Sequence, residues 1–351
     1  MVFSRLSLLC LRSSSKFSKA FQYRPFSTES ENPEPDQVEV LIPEPKSESQ
    51  LSATFPSSVL VIKPQKFGSN PGETKDNTFL KNSSKLFPEI CRVELNNLEK
   101  ALQSYGITVT SKRNDDKKAL ESYFAGDWFA AFGPPITDAK LLFILPMKSD
   151  SRKRERRKDM IKYLETLYPT VIDLTFFEEG DLALEGSGSF VLDTKNRQIF
   201  MATSHRSSET VLNEMVRYMN YGTNSSEKWK SVIFRASDQK RFPIYHTNLI
   251  MSLTPEHAVL NLASIDSLEV ERVKKALKGY EIIDVEHSGM YNYAASFQTL
   301  YSPTKLTEVV FMSKSAKNLV NLQGREICYV DVSTIETLGG GSIPSLLGKL
   351  Y

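Results

Sequence analysis

Only three cysteines, Cys10, Cys91 and Cys328, occur in 351 residues. Their wide spacing excludes a disulfide framework and a cysteine-rich zinc site, and it fits a reducing compartment. No apolar run approaches the ~20 residues needed to span a bilayer. Net charge is small: 44 Lys and Arg against 42 Asp and Glu leave +2, so no overall basic excess drives binding to nucleic acid. Histidine is scarce too, with four in the chain. What is present, 40% hydrophobic and 25% charged residues, is the composition of a globular protein and excludes wholesale disorder.

The small net charge conceals two opposed segments. Residues 1–28 carry Arg5, Arg12, Lys16, Lys19 and Arg24 with no acid, and Phe3, Leu6, Leu8, Leu9 and Leu11 are interspersed among serines. This is the pattern of a mitochondrial transit peptide addressed to the matrix; a basic disordered tail is the alternative. Arg24-Pro25-Phe26-Ser27 places an arginine a few residues ahead of a cut near Ser27. Residues 29–54 form an acidic linker, in which seven acids face Lys46 alone and Pro33, Pro35, Pro43 and Pro45 recur. With almost no aromatic residues it cannot bury enough surface to offset its ordering entropy. A single folded domain is therefore expected over residues 55–351, after a disordered N-terminal segment.

Within that domain short apolar runs alternate with helical patterns. Ser58 to Ile62 and Leu141 to Leu145, each closed by proline or Lys-Pro, read as buried strands. Cys91, Leu95, Leu98, Leu102 and Tyr105 recur at steps of 4 and 3, one helix face, and Gly106 stops it. Val270, Val273 and Leu277 repeat the device before Gly279. Leu98 to Leu102 precedes the strand-like Ile107 to Thr110, as Val273 to Leu277 precedes Ile282 to Val285, which implies an internal repeat of helix, glycine and strand. A hairpin from Ser189 to Leu192 and Gln198 to Ala202 leads into a helix over about Ser208 to Tyr221. The fold class is mixed α/β.

Three segments are not explained by periodicity. Leu184-Glu185-Gly186-Ser187-Gly188-Ser189 puts an acid on a small-residue loop where backbone can approach closely; a plain turn is the simpler reading. Tyr245-His246-Thr247-Asn248 sets a histidine before an apolar run, where a satisfied core histidine is the simpler reading. Gly339-Gly340-Gly341-Ser342 would be a flexible tail, yet Ile343-Pro344-Ser345-Leu346-Leu347 after it is apolar.

Taken in order with Val61-Ile62-Lys63-Pro64, Phe67-Gly68-Ser69-Asn70, Asn77-Thr78-Phe79, Asp127-Trp128-Phe129, Leu145-Pro146-Met147, Arg154-Glu155-Arg156-Arg157 and Ile335-Glu336, these segments resemble the citrulline-utilisation hydrolase branch of the amidinotransferase (pentein) superfamily. The resemblance runs from about Val59 to Tyr351. It implies a pseudo-fivefold β/α propeller with a central active site, no cofactor and no metal. It also implies a thiolate nucleophile, a proton-moving histidine and an acid, acting on guanidino or ureido carbons. Glu185 matches the acid and His246 the histidine. At the nucleophile position the family's Arg-Cys-Met becomes Pro344-Ser345-Leu346. Glu121, Asp127 and Arg206 are the expected substrate contacts, with Glu121 in place of an aspartate and Gly126-Asp127 in place of paired asparagines. Phe132 replaces a histidine, and Ala295-Ser296 replaces Gly-Asn.

Losing the nucleophile and its arginine together favours an inactive pentein-like scaffold, an accessory subunit of a mitochondrial assembly such as a respiratory complex, the ATP synthase or the mitochondrial ribosome. A serine hydrolase built on Ser345, His246 and Glu185 is the first alternative. The second is a module that binds RNA or cardiolipin through Arg152, Lys153, Arg154, Arg156 and Arg157. That run reads most simply as the solvated first turn of a helix whose Met160, Ile161, Leu164, Leu167 and Tyr168 face the core. The leader carries a direct prediction: N-terminal sequencing of the endogenous protein should find roughly residues 1–26 removed. An intact Met1 would contradict it.

Overall fold

The computed structural model describes residues 54–70, 76–80 and 88–351. The expected transit peptide and nearly all of the linker lie outside the described residues. The first repeat comprises β1 (Ser58–Pro64), α1 (Pro88–Ser104) and β2 (Thr108–Asn114). The second comprises β3 (Phe129–Phe132), β4 (Leu141–Ile144), α2 (Asp150–Lys153), α3 (Lys158–Leu167) and β5 (Thr170–Asp173). In the third, the helical turn α4 (Gly186–Ser189) leads into β6 (Val191–Asp193), β7 (Gln198–Ala202), α5 (Glu209–Tyr221) and β8 (Lys230–Phe234). The fourth has β9 (Met251–Leu253), β10 (His257–Leu260), α6 (Val270–Ala276) and β11 (Glu281–Asp284). The fifth follows α7 (His287–Met290) with β12 (Phe297–Ser302), β13 (Thr307–Ser313) and β14 (Glu326–Val330). The chain then runs through α8 (Ser333–Gly339) and α9 (Ile343–Leu346) into β15 (Gly348–Leu350).

One pairing rule generates all five units: an antiparallel pair followed by a parallel third strand. It holds for β3-β4-β5, β6-β7-β8, β9-β10-β11 and β12-β13-β14. In the first unit the antiparallel partner of β1 is β15, from the far end of the chain, and β2 is the parallel strand. Each parallel step needs a crossover, and in four units that crossover contains a helix packed on the sheet. The fifth differs. Between β13 and β14 lies a short 3-10 turn at Lys314–Ala316, and Glu326 to Tyr329 stay half-buried.

The helices form where the apolar spacing requires. On α1, Cys91, Leu95, Leu98 and Leu102 are buried, in one cluster with Val59 and Val61 of β1 and Phe311 of β13. The repeat of helix, glycine and strand is present twice, and Gly106 and Gly279 both take positive φ, 74° and 86°, where each helix stops. The first strands of the units meet side by side. Leu350 of β15 pairs with Ala131 of β3; Thr299 Oγ1 of β12 donates to Leu253 O of β9 at 2.7 Å; and Lys349 Nζ of β15 donates to Gln298 Oε1 of β12 at 3.2 Å. The expected single α/β domain with fivefold internal repetition is the fold observed.

Two expectations change. The Gly-Ser-Gly-Ser segment is the helical turn α4 rather than a loop, and the basic run does not open a single helix. It spans the break between α2 and α3, with Arg157 as the residue capping α3. Because β15 is the strand that pairs with both β1 and β3 and so makes one sheet of the first two units, deleting residues 348–351 should abolish cooperative thermal unfolding monitored by circular dichroism. An unchanged midpoint would contradict this.

Candidate active site

Glu185, His246 and Ser345 come from three separate repeats and are all buried. Glu185 immediately precedes α4, and its backbone N–H donates to Ser189 Oγ across that turn at 2.7 Å. His246 lies in extended backbone ahead of a 3-10 turn at Thr247–Leu249, which Thr247 Oγ1 ties to β7 by accepting the Ala202 N–H at 2.8 Å. The small residues of α4 let the ring in: a Cβ placed on Gly188 would sit 2.4 Å from His246 Nδ1. His246 Nε2 and Glu185 Oε2 are 2.9 Å apart. Ser345 sits on α9, where its Oγ accepts from Asn248 Nδ2 at 3.0 Å. Among the described residues no hydrogen bond joins His246 to Ser345.

His246 and Ser345 line one cleft of about 260 Å³ together with Glu121, Asp127, Arg206 and Tyr245. The three expected substrate contacts are therefore all present at the site. Arg152 lines it too, and sequence reasoning missed this residue by assigning it to a solvated charge run. Its side chain is 2% exposed. The guanidinium grips Glu155 through two bonds, Nε to Oε1 at 3.0 Å and Nη2 to Oε2 at 3.1 Å. It also donates to Asp127 Oδ2 at 3.1 Å and Glu185 Oε2 at 3.3 Å. The only sequence signal was an acid three residues on, Glu155, which a buried arginine needs as much as an exposed one does.

Arg206 is likewise engaged. Its Nε and Nη2 donate to the two carboxylate oxygens of Asp76 at 2.8 and 2.7 Å, and its guanidinium lies over the Tyr245 ring, 4.8 Å from the centroid. Burial would raise the Glu185 pKa, but the charge of Arg206, the His246 hydrogen bond and the charge of Arg152 together hold it far below the usual carboxylate range. Asp127 is raised because burial outweighs the charge of Arg152. Asp127 Oδ1 and Asn248 Oδ1 are buried with no hydrogen-bond partner among the described residues. Of the two, Asp127 belongs to the lining of the cleft, where an unsatisfied buried acceptor favours a donor.

The remaining cysteines do not supply a nucleophile. Cys91 is in the α1 core, and burial pushes its thiol up to about 12; Cys328 on β14 is also raised by burial. Phe132 lies in the hydrophobic cluster behind β3, and Ala295 O accepts from Ser252 Oγ at 2.8 Å. Neither lines the cleft. The rest of the basic run is matched by acids: Lys153 with Asp150 at 2.7 Å, Arg154 with Asp116 at 3.0 Å, Arg157 with Asp159 at 2.8 Å, and Arg156 with Glu178.

Behind the glycine turn, Glu336 accepts from Ser342 Oγ at 2.6 Å and Ser315 Oγ at 2.7 Å, which fixes the entry to α9. Burial raises its carboxyl pKa from 4.5 to about 7, with the nearby Glu94 adding to the rise. The native state keeps a proton that the unfolded chain releases, so stability falls as pH rises from 4.5 to about 7 and the loss is complete above that. Glu336→Gln, which stays neutral, should therefore gain in urea midpoint over the wild type between about pH 5 and pH 8. An equal difference at both values would contradict the assignment.

The model of the family described as N,N dimethylarginine dimethylhydrolase, eukaryotic, matches residues 63–349. No curated protein matches. Among solved structures, the N-terminal domain of ArgZ, an arginine dihydrolase from cyanobacteria, in a cysteine-to-serine variant bound to substrate, is 15% identical with a TM-score of 0.65, over 84% of this chain and 97% of that one. A binary complex of a cysteine-to-alanine variant of AgrE with L-arginine is also 15% identical, TM-score 0.66, over 84% of this chain and 40% of that one. A dimethylarginine dimethylaminohydrolase adduct with S-methyl-L-thiocitrulline is 13% identical, TM-score 0.60, over 84% and 100%. At these identities the likeness is one of fold.

Proposed function

The chain belongs to the eukaryotic N,N-dimethylarginine dimethylhydrolase family, and from that premise we propose that it keeps the pentein fold and its acid–histidine pair while lacking hydrolysis of guanidino or ureido compounds. The observation that carries this is the environment of Ser345. Its hydroxyl accepts from Asn248, and His246 Nε2 is turned to Glu185 instead. An alcohol with no base in reach is a weak nucleophile toward a resonance-stabilised carbon. Pro344 adds a second obstacle, since it supplies neither a positive fork nor an N–H at that turn.

The same cleft supports retained binding. Glu121 and Asp127 line the cleft with Arg152, Arg206 and His246, and Asp127 Oδ1 is a buried acceptor without a partner among the described residues, so a cationic, donor-rich small molecule remains a compatible guest. The acid-free leader motivates the cellular part of the proposal: an accessory subunit of a mitochondrial assembly. Ion pairing of the run from Arg152 to Arg157 within the fold gives little support to an RNA or cardiolipin surface, because each phosphate would have to displace an internal acid.

The intact His246–Glu185 pair favours one second reading, a serine hydrolase. In it a rotated Ser345 Oγ attacks the guanidino carbon, His246 takes the hydroxyl proton and returns it to the departing amine, and water then releases the enzyme. Purified protein incubated with dimethylarginine, arginine or citrulline decides between the two. We expect no amine or ammonia above a heat-killed control. Turnover abolished by both Ser345→Ala and His246→Ala would establish the serine enzyme.

A further inference from the structure

The start of α3 lies against the outer edge of β2, on the side of the first two units away from the cleft's own ion pairs. Arg157 Nη1 donates to Arg113 O at 3.1 Å, Arg154 Nε to Asp116 Oδ2 at 3.0 Å, and Lys112 Nζ stands 4.1 Å from the centre of the Tyr163 ring. The Gln65 N–H donates to Asn114 O at 2.8 Å, which brings the exposed Lys66 to the same end of β2. β2 is an edge strand of its sheet, so this surface faces outward.

Nine cations meet four acids here: Asp115, Asp116, Asp159 and Glu165. Arg113, Arg154 and Arg157 each have an acid, at 3.9, 3.0 and 2.8 Å, and Lys118 lies near Asp116. The other five, Lys66, Lys112, Lys117, Lys158 and Lys162, have no acid within ion-pair distance among the described residues, and all but Lys112 are exposed. The excess of five positive charges is larger than the +2 of the whole chain. Lys158 and Lys162 stand four apart on α3, a like-charge pair that disfavours the helix unless an anion lies over it. The run from Arg152 to Arg157 is thus matched internally, while the lysines around it are not.

We propose that the outer surface of β2 and the first turns of α3 bind the phosphate backbone of a nucleic acid duplex without reading its sequence. The surface offers no ring for base stacking, because Tyr163 lies under Lys112 and its hydroxyl is 3.1 Å from Thr110 Oγ1. On β2 and α3 the one exposed large apolar side chain is Leu167, at the far end of the helix, so nothing among the lysines would insert into a bilayer. Cations fixed on a strand edge and a helix, with neither rings nor apolar tips between them, match regularly spaced phosphates. The surface is separate from the cleft and does not depend on whether Ser345 is reactive.

Fluorescence anisotropy of the full chain with a labelled RNA duplex of about 20 base pairs tests it, beside the equivalent DNA duplex, single-stranded RNA and vesicles of phosphatidylcholine with cardiolipin. Saturable binding to both duplexes is expected, with log affinity falling against log salt at a slope of at least about −4, roughly a 250-fold loss from about 50 to 200 mM. Changing Lys66, Lys117, Lys158 and Lys162 together to Gln, all at exposed positions, should weaken binding at least about tenfold and reduce the slope by about 3. The basic leader is present in both proteins, so the difference reads this surface alone. Changing Lys274, Lys275 and Lys278 to Gln, in and after α6, should alter affinity less than about twofold. Unchanged affinity in the fourfold variant, an equal loss in the α6 variant, tighter binding of single strands or vesicles than of either duplex, or no saturation below about 10 μM at about 50 mM salt would each overturn the assignment.

Discussion

The carboxylate of Glu185 is the constraint around which the site is organised. It is wholly inaccessible, and a buried carboxylate in a low-dielectric interior is tolerable only with close opposite charge and donors. Glu185 obtains these from four places: Arg152 before the third unit, Arg206 after β7, His246 before β9, and the Lys148 N–H at 3.1 Å. Because these groups sit on different repeats, satisfying one carboxylate fixes the relative placement of the second, third and fourth units. Breaking such a buried pair costs on the order of 3–5 kcal/mol, a large share of a domain's net stability. Ser345 stands outside this network, held by Asn248 instead.

Much of this was readable from the residues. The spacing of Cys91, Leu95, Leu98 and Leu102 gives α1 because a 3.6-residue period leaves one face to bury, and the helix-glycine-strand echo at Gly106 and Gly279 reports the repetition itself. Glu185, His246 and Ser345 were found through the order of motifs rather than through periodicity. The bare residues left each with an ordinary structural explanation. Arg152 was unreadable for a definite reason. Six residues with five cations look like a solvated face, and nothing in local sequence says that the helix breaks after Lys153 and turns one guanidinium inward. Asp76 escaped notice similarly, since its partner Arg206 lies 130 residues away. The fifth unit also departs from the repeat: its crossover holds a 3-10 turn rather than an α-helix, and α1 packs in the same cluster as Phe311 of β13 and Val330 of β14, a contact between the two ends of the ring.

The arrangement also limits what an intact acid–histidine pair can say about chemistry. Once Glu185 is buried, removing Arg152, Arg206 or His246 leaves its charge less compensated, and removing Glu185 strands two guanidinium groups in the interior. Each member therefore has a folding reason to remain that is independent of turnover. Ser345 has no such reason. Its hydroxyl accepts from Asn248 and takes no part in the ion pairs of the cluster, so a change of that side chain leaves every one of them in place. A change confined to Ser345 therefore leaves the electrostatic shell intact, and that shell persists because the fold requires it. The geometry of His246 and Glu185 is evidence about packing first, and whether it still moves a proton depends on the one contact missing here, between His246 and the hydroxyl of Ser345.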